Sequence, residues 1–351
     1  MLSNLKRFCR RIRRRVLAGL FAASLVCAQA PNPEALRWAN EGLAEAKRQN
    51  YPAAIQAYKR AIALDPDLPG IYLNLGLAWF KAGNFREAVT AFEQANKRLP
   101  SEQGTMLLAM SDFGLKRYKE ASELLAPAAA ANPDNNELVY LLAKCYLWSG
   151  QYAAATGLFH QLLQRDPDSA AVHMLLGEAL DADDKTDQAA TEFEAASKAA
   201  PSQPDVHFGL GFLYWKLRRY NEAEREFRQE LANNRDNSQA FAYLGDTLLK
   251  TGRADDAFSA LKHAIALQPD IQIAHLDLGA LYAARKQNDL AIAELRKAIQ
   301  CDPNAYEPHY RLARLYRESG NKAEANAEFA IVQKLHERKN EDTLMKISGP
   351  H

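Results

Sequence analysis

The chain has 351 residues, 44 basic and 43 acidic side chains and a formal net charge of +1, so its overall charge gives no electrostatic case for nucleic-acid binding. Only four cysteines are present, and two of them, Cys9 and Cys27, fall in the first thirty residues; no disulfide framework is expected. Taken in chain order, residues 1–30 carry seven basic groups, Lys6, Arg7, Arg10, Arg11, Arg13, Arg14 and Arg15, and no acidic ones. Setting those seven aside leaves 37 basic against 43 acidic residues, a mildly acidic body. The apolar run Val16 to Cys27 and then Ala28-Gln29-Ala30 follow. Basic, apolar, then small is the order of a secretory signal peptide, cleaved after Ala28 or, less favoured with Pro31 next, after Ala30. A mitochondrial presequence and an uncleaved N-terminal anchor are the alternatives.

Beyond the leader the chain is periodic. Pro66, Pro100, Pro133, Pro167, Pro201, Pro269 and Pro303 are spaced by 34, 33, 34, 34, 68 and 34 residues, with Arg235 at the midpoint of the doubled gap. A second column holds Ala54, Ala88, Ala121, Ala155, Ala189, Ala223, Ala257, Ala291 and Ala325. Four residues after each comes a large apolar side chain, Tyr58, Phe92, Leu125, Phe159, Phe193, Phe227, Leu261, Leu295 and Phe329. Twelve residues before each alanine stands Gly42, Gly76, Ala109, Ala143, Gly177, Gly211, Gly245, Gly279 or Ala313. A fixed period of this size means one supersecondary unit repeated and stacked. Small residues let helices approach, apolar residues at helical spacing give each helix a buried stripe, and the proline ends the unit. Eighteen antiparallel helices are expected, two per repeat.

These columns resemble the tetratricopeptide repeat. Trp38, Gly42, Tyr51, Ala54, Tyr58, Ala61 and Pro66 make the first copy; Tyr72, Leu75, Gly76, Trp79, Phe85, Ala88, Phe92, Ala95 and Pro100 make the second. The resemblance covers nine copies, 35–68, 69–101, 102–135, 136–169, 170–203, 204–237, 238–271, 272–305 and 306–339, with 340–351 as a charged C-terminal tail. It implies an all-α, right-handed superhelical solenoid of antiparallel helix pairs.

Several constellations have a bland reading. The fourth position of the repeat is His173, His207, His275 or His309 in four copies, but Trp38, Tyr72 and Phe241 in others. Equivalent positions lie roughly 10 Å apart, far beyond zinc-ligand distances of about 2 Å, so flat packing rings are expected and no metal. Asp181, Asp183, Lys185, Asp187 and Glu192 imitate part of a calcium loop, but Thr186 stands where its glycine belongs and Lys185 where a ligand belongs. No phosphate loop, nucleophile elbow or zincin motif occurs, and Gly209-Leu210-Gly211 lies within a helical pattern. No cofactor and no catalytic residue is assigned.

In the family resembled, the first helix of each repeat lines a concave groove, with positions 5, 9 and 12 among those that reach a ligand. Here those positions are Leu73, Leu77 and Phe80, then Met106, Met110 and Phe113, then Tyr140, Lys144 and Leu147. Repeat 5 has Met174, Glu178 and Asp181, and repeat 6 has Phe208, Phe212 and Trp215. Position 9 is usually polar, so Leu77, Met110 and Phe212 point to apolar binding surface rather than packing alone. In repeat 9, Arg311, Arg314 and Arg317 share one helix face and could clamp a carboxylate or phosphate; local pairs with Glu307 and Glu318 are the competing reading. The lysine and asparagine of the chaperone-binding members are replaced by Ala39 and Leu43. The sequence therefore predicts an exported, non-enzymatic scaffold that binds proteins or peptides in its concave groove, with no nucleic acid and no membrane for the mature body. A self-associating structural solenoid is the second reading, and an enzyme with an unrecognised site the third.

Overall fold

The computed structural model describes residues 31–348. The expected leader, 1–30, and residues 349–351 lie outside the described residues. The described chain is helical, with no strand. The helices are α1 Pro33–Lys47, α2 Tyr51–Leu64, α3 Ile71–Lys81, α4 Phe85–Arg98, α5 Glu102–Gly114, α6 Tyr118–Ala131, α7 Asn136–Trp148, α8 Tyr152–Leu163 and α9 Ala170–Ala182. They continue as α10 Thr186–Ala199, α11 Val206–Lys216, α12 Tyr220–Asn233, α13 Ser238–Lys250, α14 Ala254–Leu267, α15 Gln272–Ala284, α16 Asn288–Cys301, α17 Tyr306–Glu318 and α18 Lys322–Ser348. Helices pack in pairs, α1 with α2, α3 with α4, α7 with α8, α9 with α10, α11 with α12, α13 with α14, α15 with α16 and α17 with α18. The last helix runs on through 348 without a break, so residues 340–348 of the expected charged tail are helical.

Helix α4 shows how the sequence makes each element. Ala88, Val89, Ala91 and Phe92 fall on one stripe and are its buried residues, while Glu87 in the first turn and Lys97 and Arg98 in the last complement the helix dipole. Phe92 is fully buried, which contributes roughly 2–3 kcal/mol. Its seat exists because position 76 is glycine: a Cβ there would sit 2.6 Å from the Phe92 ring. Gly211 makes the same seat for Phe227, at 2.8 Å.

The turn inside each repeat has one geometry. In repeat 2, Gly83 N–H donates to the carbonyl of Phe80 and Asn84 N–H to that of Trp79, which is the Schellman closure of a helix C-terminus. The same two bonds recur from Gln49 and Asn50 in repeat 1 to Gly320 and Asn321 in repeat 9. The closure requires a left-handed residue. Gly83, Gly150, Gly252 and Gly320 supply it, but so do Gln49, Lys116, Asp184, Arg218 and Lys286, all with φ between 59° and 64°.

The helices form two compact units, 1–124 and 125–351. The boundary falls inside α6, close to Pro127, whose ring removes one hydrogen bond of the helical ladder. In the N-terminal unit one apolar cluster centres on Ile55, Tyr58, Ile71 and Leu75, and another on Phe80, Val89, Phe92 and Leu108. In the C-terminal unit a long cluster runs from Val139 to Ala260 through Phe159, Leu176, Phe193, Leu210 and Phe227. Smaller ones follow around Leu261 and Leu278, and around Leu295, Leu312 and Tyr316. Among the described residues, Cys145 and Cys301 are free; burial pushes the Cys145 thiol up to about 12, so it stays protonated.

Candidate functional site

In the N-terminal unit the expected groove residues are partly drawn into the core. Leu73, Leu77 and Met110 are half-buried against the Phe92 cluster, and Met106 is half-buried. Phe80 is a correction: it is only 7% exposed and packs edge-on against Phe85, with ring centroids 5.4 Å apart. Position 12 closes the repeat's own helix pair there, so Phe80 offers no binding surface. Phe113 makes the equivalent contact with Tyr118 at 5.4 Å, and Leu147 is buried as well.

In the C-terminal unit the inner face is richer. Lys144 Nζ lies 5.4 Å from the Tyr140 ring centre and 4.8 Å from that of Trp148. Burial lowers the Lys144 ammonium from its ordinary range. Glu178 is open to solvent at its surface, yet protein crowds it on the other sides, and this burial pushes its carboxyl up against the pull of Lys144. Met174 is half-buried between two apolar clusters. Asp181, the lead residue of the imitation calcium loop, is instead bound by Lys216 at 2.5 Å and Thr186 at 2.9 Å.

Repeats 6 and 7 build an aromatic wall. Phe212 stacks on Trp215 at 5.8 Å, and Tyr243 meets Phe212 at 5.3 Å, Trp215 at 5.2 Å and Phe208 at 6.0 Å, each edge-on. All four rings are half-buried, and Phe208, Trp215 and Tyr243 also pack against the long apolar cluster. The structure thus brings together Phe208, Phe212 and Trp215 and adds Tyr243, from position 6 of the next repeat, which the choice of positions 5, 9 and 12 misses. Trp215 Nε1 donates to Asp246 Oδ2 at 2.6 Å.

The arginine face divides. A cavity of about 160 Å³ is lined by Gly279, Ala280, Ala283, Leu295, Arg311, Arg314, Leu315 and Glu318. It exists because positions 9 and 12 of repeat 8 are alanines, where the neighbouring repeat has Asp246 and Leu249. Arg311 Nε donates to Glu307 at 2.8 Å, while Arg314 meets Glu318 at only 3.5 Å with both side chains more than half exposed; such a pair contributes little. Arg317 does not join them: its guanidinium lies 5.5 Å from the Phe329 ring centre.

The histidines form ordered joints. Nδ1 of His173, His207, His275 and His309 faces Glu192, Glu226, Glu294 and Glu328 at 2.6, 2.8, 2.6 and 2.6 Å. Nε2 of His173, His275 and His309 faces the carbonyls of Pro167, Pro269 and Pro303 at 2.8, 2.7 and 3.3 Å. Each glutamate stands nineteen residues after its histidine, a signal that was present in the sequence and unread. Among the described residues no group of three acidic, histidine or cysteine side chains could hold a metal, and no helix is long and apolar enough to cross a membrane.

Family models described as tetratricopeptide repeat match residues 113–179, 181–238, 208–270, 244–306, 294–325 and 71–101, and one described as TPR repeat matches 42–83. The chain is 25% identical over 268 residues to the TPR repeat-containing protein YpiA of Bacillus subtilis, covering 64% of this chain and 63% of that one. It is 22% identical over 178 residues to anaphase-promoting complex subunit 3 of Schizosaccharomyces pombe, covering 50% and 27%. It is 24% identical over 199 residues to the peroxisomal targeting signal receptor of Kluyveromyces lactis, covering 55% and 34%. The chain thus spans from about a quarter to under two thirds of these relatives. Among solved structures, the Cut9–Hcn1 hetero-tetramer of the anaphase-promoting complex is similar in fold, with TM-score 0.53 and 15% identity over 76% of this chain and 52% of that one. With its periodic columns, its helix pairs and these matches, the chain is built of tetratricopeptide repeats over most of its length and belongs to that family.

Proposed function

We propose that the protein is a non-enzymatic scaffold that takes a peptide or protein segment on the inner face of its C-terminal unit. The observation that carries this reading is the cluster of mutually packed, partly exposed rings Phe208, Phe212, Trp215 and Tyr243. Aromatic rings held by mutual contact present large apolar area with little entropy left to lose, which suits recognition. The cavity beside Arg311 and Arg314 offers a place for a carboxylate of the same partner. Two relatives, a subunit of the anaphase-promoting complex and a peroxisomal targeting signal receptor, support a binding rather than a catalytic role.

The test uses neighbouring residues. Phe212→Glu should reduce partner capture at least tenfold, about 1.4 kcal/mol, with helicity retained, because an exposed charge stays hydrated until an apolar ligand covers it. Gly211→Leu should instead disrupt the fold, since a Cβ at Gly211 already meets Phe227 at 2.8 Å. Unchanged capture by a folded Phe212→Glu protein would sink the groove reading, and concentration-dependent sedimentation of the protein alone would turn it into self-association. We further propose export, on the tripartite pattern of residues 1–30. Intact mass of protein from its native host should show a chain beginning near Gln29 or Pro31, and a full-length mass would remove the cleaved-leader reading.

A further inference from the structure

Asp246, at position 9 of repeat 7, and Asp277, at position 6 of repeat 8, are buried, with relative exposures of 4% and 5%. Asp246 is held on both oxygens: Oδ2 accepts from Trp215 Nε1 at 2.6 Å, and Lys250 Nζ stands 3.6 Å from Oδ1. Asp277 is not so supplied, for its Oδ2 is buried with no hydrogen-bond donor. Two carboxylates brought together away from water cannot both carry charge at neutral pH. One of them must hold a proton, and the one without a cation or N–H partner is Asp277.

We propose that Asp277 donates a retained proton to Asp246 and thereby acts as a positioning residue for Trp215 on the groove wall. The Asp277 O–H bonds to the Asp246 carboxylate, whose other contacts are Trp215 and Lys250. Removal of that proton by hydroxide gives water and a second carboxylate. Two like charges then face each other, Asp246 is driven from its place, and the indole loses its anchor. The charged groups around Asp277 are Asp246 and Lys250 from α13 and Arg311 from α17; His275, on its own helix, is engaged with Glu294 of α16 and the Pro269 carbonyl. Burial raises the Asp277 carboxyl well above its ordinary range, and the charge and hydrogen bond of Asp246 add to that, against Lys250 and Arg311. The folded chain then binds this proton more tightly than the unfolded chain. Its contribution to stability therefore declines as pH rises from about 4 towards the folded value.

The inference rests on the groove reading only for its consequence, and its test is made on the free protein. The infrared spectrum of the full chain at neutral pH should contain the carbonyl band of a protonated carboxylic acid, and Asp277→Asn should remove it. The emission of Trp215, taken as the difference between the wild type and Trp215→Phe, should shift to the red as the pH is raised above the ordinary carboxyl range. In Asp277→Asn it should stay constant, because the amide donates to Asp246 at every pH. Absence of the acid band in the wild type overturns the proposal even if Asp277→Asn does not fold. So does a Trp215 titration that persists unchanged in that variant.

Discussion

In the first two repeats of the N-terminal unit, the fourth position holds Trp38 or Tyr72, and the residue nineteen places on is Ala57 or Ala91. Both alanines are buried, and the guanidiniums of Arg60 and Arg98 lie over the two rings at 4.5 and 4.3 Å. In repeats 5, 6, 8 and 9 of the C-terminal unit the same positions are histidine and glutamate, joined at 2.6–2.8 Å. Repeat 7 reverts to the first type, with Phe241 and Ala260, and it is also the repeat that follows Arg235 instead of proline. Repeats 3 and 4 have Thr105 and Val139 at this position, so the joint does not require a ring; where it has one, the ring's chemistry decides what must face it. An aromatic ring accepts a methyl group, whereas a buried imidazole needs oxygen partners for its nitrogens. The two columns are therefore coupled within a repeat, and swapping one member alone should fail.

The largest expected effect comes from breaking that coupling in the polar joint. His275→Phe leaves Glu294, whose side chain is 12% exposed, without its buried partner, and should destabilise the C-terminal unit by roughly 2–4 kcal/mol. Adding Glu294→Ala makes the aromatic–alanine joint and should recover most of the loss. Denaturant unfolding of both variants checks this; a double variant no better than the single one would refute the coupling. Next in size, Trp38→His in the N-terminal unit, where no glutamate faces the ring, should cost roughly 1–2 kcal/mol, read by hydrogen exchange in α1 and α2 because repeat arrays need not unfold as one.

A smaller and pH-dependent difference follows from Glu294. Burial would raise its carboxyl, but hydrogen bonds from His275 and Lys297 and their charges outweigh it and hold the group below its ordinary range. A depressed carboxyl contributes stability above the unfolded value near about 4.3, and loses it as pH falls through the folded value. The gap in melting temperature between the wild type and Glu294→Gln should accordingly be present at neutral pH and shrink in acid. A gap that widens in acid would contradict the assignment. The smallest effect should not distinguish the units at all: Gln49→Gly and Lys286→Gly, both at left-handed turn residues, should each stabilise by about 0.5–1 kcal/mol. Unequal gains would show that the turn belongs to the difference between the units.

The repeat period, the eighteen helices and the packed faces were legible before any coordinates, because each rests on short-range spacing. Gly76 and Phe92 lie sixteen residues apart in every copy of the motif, so their contact is a property of one repeat. The left-handed turns were half legible, since glycine marks four of them but Lys116 and Arg218 do not advertise their φ. The arginine pocket was legible as a helix face but not as a cavity, because its floor is the missing bulk of Ala280 and Ala283 in the preceding repeat.

The sequence by itself determined that this protein is a helical array of tetratricopeptide repeats over most of its length, because successive copies of one local pattern leave each apolar stripe only a neighbouring repeat to pack against. Tertiary structure alone decided which groove residues are surface. Phe80 and Trp215 both stand at position 12, yet Phe80 is buried against Phe85 and Trp215 is only half-buried beside Phe212 and Tyr243. It alone buried Asp246 against Trp215 and buried Asp277 with its Oδ2 lacking a hydrogen-bond partner. The reason is that the contacts of Tyr243 with Phe212 and Trp215, and of Trp215 with Asp246, join residues of neighbouring repeats at different repeat positions, where the shape of the stack, and not the spacing within a helix, sets what meets what.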